Sequence, residues 1–215
     1  MNRDQLAQKI RNNLNDAGVT YYSAADLNES IQDGYDEVAV YCECIERTAT
    51  LNFQSDITYY DFSTLIPDYY RLVRLYSHAT NRFLGVNLER ENFGYSSDWE
   101  LNQGAHQDFI IKGPKLVGIS GRKTNAVGNF KVWYKAQANI LGSRDVPRID
   151  VRYHLMLENY GTADLLEQNQ EYTKASTYWA QYNKQLEDYR FKLQLLSKAD
   201  RISWRDGDAH SPYIY

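Results

Sequence analysis

No apolar run in this 215-residue chain approaches the roughly 20 residues that a membrane-spanning helix requires. The opening Met1-Asn2-Arg3-Asp4-Gln5 lacks the apolar stretch of a secretory signal. The expectation is a protein made and used in a cytoplasm, with no membrane partner. Cysteine is scarce, with only Cys42 and Cys44 in one Cys-x-Cys. Two positions apart on a helix they point to different faces, so a bridge there would be strained. They read as reduced, partly buried thiols, and the nearest histidine in sequence, His78, is too far along the chain to complete a metal site. Strong charge of either sign is also lacking. A net charge of -4 argues against a general nucleic-acid coat, which needs a basic surface. It leaves room for a channel that double-stranded DNA passes through without sticking.

The signatures of chemistry are absent too. There is no P-loop, dinucleotide fingerprint, Gly-x-Ser-x-Gly or His-Glu-x-x-His. Gly118-Ile119-Ser120-Gly121 is too short and generic to count. His78, His106, His154 and His210 are scattered over the chain. Asp36-Glu37 and Glu187-Asp188 are paired carboxylates, but neighbours on a helix do not face each other, so each pair reads as a solvated face. These absences favour a structural protein over an enzyme, with no cofactor and no metal.

What the chain has in excess is tyrosine, 19 against 7 Phe. Tyr buries a ring while its hydroxyl finds a polar partner, which suits surfaces buried on assembly as well as a modest core. Helical spacing opens the chain. Leu6, Ile10 and Leu14 lie four apart over residues 2–15, and Gly18 is a candidate left-handed cap. Ser23 with Asp26 forms an N-cap pair for a second helix bearing Leu27, Ile31, Tyr35, Val38, Cys42 and Ile45, expected to run to about Arg47.

The period then changes. Residues 48–53, 57–62, 70–77, 82–88, 107–112, 116–120 and 130–136 read as strands, rich in Thr, Tyr and Phe or flanking turn signals such as Gly113-Pro114. Residues 89–104 are polar and read as a loop. From Phe109 to Arg144 there is no acid at all. The candidate contacts with a DNA lumen or a neighbouring copy are Lys112, Lys115, Arg122, Lys123 and Lys131; a solvated hairpin face explains the same residues.

Pro147 precedes the longest helical pattern, from Ile149 to about Leu196, interrupted only by Gly161. Unbroken, it would span about 70 Å at 1.5 Å per residue, so a bend at Gly161 or packing along other helices is expected. Tyr172, Ala175, Trp179, Tyr182, Leu186, Tyr189, Leu193 and Leu196 alternate intervals of three and four, a heptad seam that needs another helix alongside. The tail, residues 200–215, has no helical period. It reads as an extended arm whose candidate anchors on a neighbour or partner are Ile202, Trp204, Arg205, Tyr213, Ile214 and Tyr215.

The fold class that emerges is α+β. A helical bundle (residues 1–47 and 147–199, with a long C-terminal helix) carries a β-hairpin or small-sheet insertion (48–146) and ends in an extended arm (200–215).

Three stretches then carry a resemblance. They are Ala17-Gly18-Val19-Thr20-Tyr21-Tyr22-Ser23 followed by residues 27–37; Pro67-Asp68-Tyr69-Tyr70-Arg71 followed by strands; and Val146-Pro147-Arg148-Ile149-Asp150 leading to Ala163-Asp164-Leu165-Leu166 and residues 174–179. In this order they resemble the head-to-tail adaptor (connector) proteins of short-tailed bacteriophages, over most of the chain. The resemblance implies a virion protein of the phage neck, assembled in the host cytoplasm. It implies a ring, usually of twelve copies, beneath the portal protein, which extends the DNA channel and docks the tail tube or nozzle. It also implies a C-terminal arm on the portal, here residues 202–215. A tail-tube, tail-terminator or capsid accessory protein remains an alternative, as do a virion-associated enzyme and a nucleic-acid-binding regulator.

Overall fold

The computed structural model describes residues 1–16, 21–53, 59–86, 108–113, 115–119 and 128–207. The expected cap Gly18, the polar loop, Arg122, Lys123, Tyr213, Ile214 and Tyr215 lie outside the described residues. The protein is α+β and divides into two compact units, Met1–Cys44 with Ile140–Tyr215, and Ile45–Asn139.

The first unit is helical. Helix α1 (Arg3–Asn13) begins at a reciprocal cap, in which the Asn2 carboxamide accepts from the Gln5 N–H and the Gln5 side chain accepts from the Asn2 N–H. Beyond it Asn15 takes a left-handed conformation at φ 55°. Helix α2 (Ala24–Cys42) starts at the expected pair, Ser23 accepting from the Asp26 N–H and Asp26 from the Ser23 N–H. It ends earlier than Arg47. Glu43 turns left-handed (φ 48°) and breaks the hydrogen-bond ladder, so Cys44 lies past the helix and residues 46 and 47 enter a strand.

The long C-terminal pattern is two helices. A 3-10 turn (Val151–Tyr153), capped by Asp150, leads into α4 (His154–Gln168), and α5 runs from Tyr172 to Gly207. The bend is not at Gly161. It falls at residues 169–171, where Gln170 is left-handed (φ 64°) and the Glu171 N–H closes back on the Leu166 carbonyl. Gly161 sits inside α4 where α1 approaches closely: a Cβ there would stand 2.6 Å from Ile10 Cδ1, the far end of that side chain. The core of this unit is made by Leu6, Ile10, Leu27, Ile31, Tyr35, Met156, Leu157, Leu165 and Tyr182, all essentially inaccessible.

Among the described residues the second unit holds two four-stranded sheets. The first has the order β1-β8-β3-β4, with β1 Glu46–Phe53, β8 Gly128–Ala136, β3 Tyr69–Ser77 and β4 Arg82–Phe83, all antiparallel. The second has the order β2-β7-β6-β5, with β2 Tyr59–Asp61, β7 Leu116–Ile119, β6 Asp108–Lys112 and β5 Gly85–Val86. Its last pair, β5 with β6, is parallel. A short helix, α3 (Phe62–Leu65), follows β2, and Phe62 meets Tyr69 of β3 edge-on with ring centres 5.4 Å apart. Alternation sets the core: Phe130, Val132, Tyr134 and Ala136 of β8 are buried with Leu72 and Leu75 of β3, while Lys131, Trp133 and Lys135 take the other face.

Candidate functional site

The heptad stripe of α5 is an intramolecular seam for most of its length. Ala175, Tyr182, Leu186 and Tyr189 are buried, and α5 packs on α4 and α2. Aromatic contacts fix the register. Tyr160 of α4 meets Trp179 and Tyr182 edge-on at 5.1 and 5.2 Å, and Tyr153 lies against Tyr189 at 4.4 Å. The Tyr182 hydroxyl donates to Glu37 of α2 at 2.9 Å, and burial, reinforced by that carboxylate, pushes its ionisation far above the ordinary phenol range.

Both ends of the stripe escape this packing. Tyr172 is exposed at one end, Leu193 is half-buried, and Leu196 is 53% exposed at the other, alongside exposed Phe191 and Leu195. The backbone stays helical through Gly207. Ile202, Trp204 and Arg205 therefore lie on α5, where the sequence suggested an extended arm starting at residue 200. Continued backbone hydrogen bonding has overridden the missing apolar period there. Tyr213, Ile214 and Tyr215 fall outside the described residues.

The basic residues divide between the two sheets. Lys112 and Lys115 flank the β6–β7 turn and are exposed, with the Lys112 ammonium 4.4 Å from the centre of the Tyr59 ring. Lys131 lies on β8 of the other sheet, 4.9 Å over Trp133.

Two surfaces escaped sequence reasoning. The first is the outer face of the β1-β8-β3-β4 sheet. Tyr76, Phe83 and Trp133 form a chain of ring contacts there, at 5.2 and 5.5 Å. Arg71, Arg74, Lys131 and Lys135 surround them, and Lys135 pairs with Glu46 at 3.1 Å. The alternation of β8 held half of this signal. The pairing of β3 with β8, through two register shifts, held the rest. The second surface is on α2. Asp26, Glu29, Asp33, Asp36 and Glu37 are all exposed, and the helix has no Lys or Arg. Their spacing of three, four and three was legible in the sequence as a second period running beside the apolar stripe.

Nothing among the described residues assembles a catalytic constellation. No group of three or more His, Cys, Asp or Glu side chains is disposed to hold a metal ion there. His154 is buried, with Nδ1 2.8 Å from the Met1 amino group and Nε2 3.3 Å from the Ile149 carbonyl oxygen. Burial and the nearby amino-terminal charge push its ionisation down. His78 is exposed on the other unit, edge-on to Tyr76 at 5.1 Å. Cys42 is buried with its thiol pushed up to about 12 by desolvation, the opposite of a reactive thiolate. Among the described residues no helix is long and apolar enough to cross a membrane.

A helical unit joined to a small β unit is common to many proteins, and the fold alone does not name a family. The family model of the SU10 adaptor protein matches residues 1–210, across both units. The chain belongs to the SU10 adaptor protein family. It is a head-to-tail adaptor of a bacteriophage, a structural protein of the virion. As an adaptor it has its place at the phage neck, in association with portal and tail proteins. No curated protein matches the chain.

Proposed function

We propose that this adaptor works as a closed ring of twelve copies beneath the portal, extending the DNA channel and docking the tail tube or nozzle without catalysing a reaction. The observation that carries this reading is the family match over residues 1–210, which spans the helical unit, the β unit and α5 together. A ring needs two different patches on each copy that meet in a heterologous, closing contact. Exposed Phe191, Leu195 and Leu196 on the part of α5 beyond its seam supply apolar surface for docking. The segment from Ile202 through Trp204 and Arg205 to Tyr213, Ile214 and Tyr215 is the proposed portal contact. Many such segments acting together need little affinity each. Lys112 and Lys115, with Arg122 and Lys123, are proposed to line the lumen and touch passing DNA phosphates weakly.

Electron microscopy of the particle, averaging the vertex that carries the tail, tests the reading. A ring of twelve densities between portal and tail that accepts the four-helix unit and the two sheets supports it. Absence of the chain from that ring overturns it.

A further inference from the structure

The acidic helix face and the basic sheet face have opposite sign. On α2, Asp26, Glu29, Asp33 and Asp36 recur at intervals of three and four with Glu37 beside them, so each carboxylate has like-charged neighbours on one exposed face. Such pairs are mutually destabilising on a helix. Asp26 gains from the helix N-terminus, but Glu29, Asp33, Asp36 and Glu37 lie beyond its first turn. Partial burial, with Asp33 adding to it, holds the Asp36 carboxyl above its ordinary ionisation range. On the sheet, Arg71 stands directly across from Lys135, while Arg74 faces Trp133, and Lys131 faces Tyr76 on one side and Thr50 on the other. Among the described residues this face holds four cations and one acid, Glu46.

The two surfaces also match in kind. The sheet face presents aromatic rings and arginines, the residue types that dominate binding energy at interfaces. Phe83 is 43% exposed at its edge. The acidic stripe ends on Val40 and Tyr41, exposed at 37% and 38%; the Arg190 guanidinium lies 4.5 Å from the centre of the Tyr41 ring and its Nη1 donates to the Tyr41 hydroxyl at 2.9 Å. One turn of α2 separates neighbouring acids by about 5 Å along the axis. Adjacent strands stand about 4.8 Å apart, so cations and acids can be brought opposite one another in series.

We infer that the outer face of the β1-β8-β3-β4 sheet of one copy, carrying Arg71, Arg74 and Lys131 around Tyr76, Phe83 and Trp133, docks on the acidic α2 stripe of a second copy, centred on Asp33 and Asp36. The inference rests on the ring reading and specifies its heterologous contact: one patch on the β unit, the other on the helical unit. Charge complementarity selects the second copy as occupant. Joining the cations to the acids relieves the repulsion along the acidic stripe, and the aromatic cluster gives the contact a desolvated centre.

Charge swapping tests it. One variant carries Asp33→Lys and Asp36→Lys, and the other carries Arg74→Glu and Lys131→Glu; all four positions lie on the surfaces described and circular dichroism checks each fold. Self-association is followed by analytical ultracentrifugation and native mass spectrometry over a concentration series. Each variant alone is expected to lose self-association affinity by about tenfold or more, because its two patches now carry the same sign. Mixed in equal amounts, the two variants are expected to associate again, alternating around the ring, since opposite charges then meet wherever one variant's patch joins the other's. A chain carrying all four substitutions regains association for the same reason.

Association unchanged in both variants overturns the pairing and leaves the ring intact. A wild type and a mixture that both stay monomeric overturn the pairing too, while the vertex average still judges the ring. If the Arg74→Glu, Lys131→Glu variant loses binding to duplex DNA but keeps wild-type self-association, the sheet face serves a polyanion and the proposal fails.

Discussion

Gly34 of α2 lies against the stem of the Tyr160 ring so closely that a Cβ added there would stand 2.7 Å from Cδ1 and 2.8 Å from Cγ. Those atoms are near the root of a ring already held by Trp179 and Tyr182, so the ring has little room to yield. Replacing a helical Gly by Ala ordinarily gains about 1 kcal/mol in propensity. Here overpacking costs about 1–3 kcal/mol and wins. Gly34→Ala is therefore expected to lower the melting temperature, measured by calorimetry. A higher melting temperature would refute the close approach of α2 to α4.

The seam of α5 divides into a buried part and an exposed part. Leu186 is buried, so Leu186→Ala should cost about 2–5 kcal/mol in chemical denaturation. Leu196 is half exposed, so Leu196→Ala should change stability by less than about 0.5 kcal/mol. Equal losses at the two positions would mean that the packed seam runs the whole length of the stripe.

Arg11 and Asp16 form a buried ion pair at 2.9 Å, with the two side chains 9% and 1% exposed. Asp16 also accepts from the backbone N–H groups of Tyr21 and Tyr22, and Arg11 donates to the Tyr22 carbonyl. Asp16→Ala leaves a buried guanidinium without its counter-charge, at a cost of about 3–5 kcal/mol. Urea denaturation reads this directly, and a loss below about 1 kcal/mol would show the pair to be solvated.

His154 makes stability depend on pH. Burial first, and the Met1 amino charge second, depress its ionisation in the folded chain. A group whose folded pKa is depressed contributes stability that is complete above its unfolded value, about 6.5. That stability is lost as pH falls below this value and through the folded one. In matched denaturation series from about pH 7.5 to about pH 5, the wild type should lose more stability than a His154→Gln variant. Parallel curves would show that His154 protonates as easily folded as unfolded.

The limits of sequence reading lie at particular residues. The Ser23 and Asp26 cap was legible because capping is local: both partners lie within one turn. The end of α2 was not, because Glu43 looks like any helical residue. Its left-handed turn is followed by the strand that starts at Glu46 and pairs with β8, about eighty residues later. Gly161 reads as a breaker for the same reason. Glycine signals either a bend or a close approach, and only the position of Ile10 decides between them. The true break, at Gln170, carries no glycine or proline.

The candidate surfaces divide in the same way. The seam residues and the basic run were visible as periodicity and composition. The sheet face was not, since Trp133 meets Phe83, and through it Tyr76, only by strand pairing across about fifty residues.

By itself the sequence determined the order of helices and strands, the apolar stripe of each helix and the absence of any recognised catalytic motif. Each of these rests on spacing within a few turns of chain. Tertiary structure alone decided where α2 stops and where the C-terminal helices part. It also decided which half of the α5 stripe is buried and which cations and rings share one face. Those outcomes depend on contacts between residues far apart in the chain, whose energies no local pattern records.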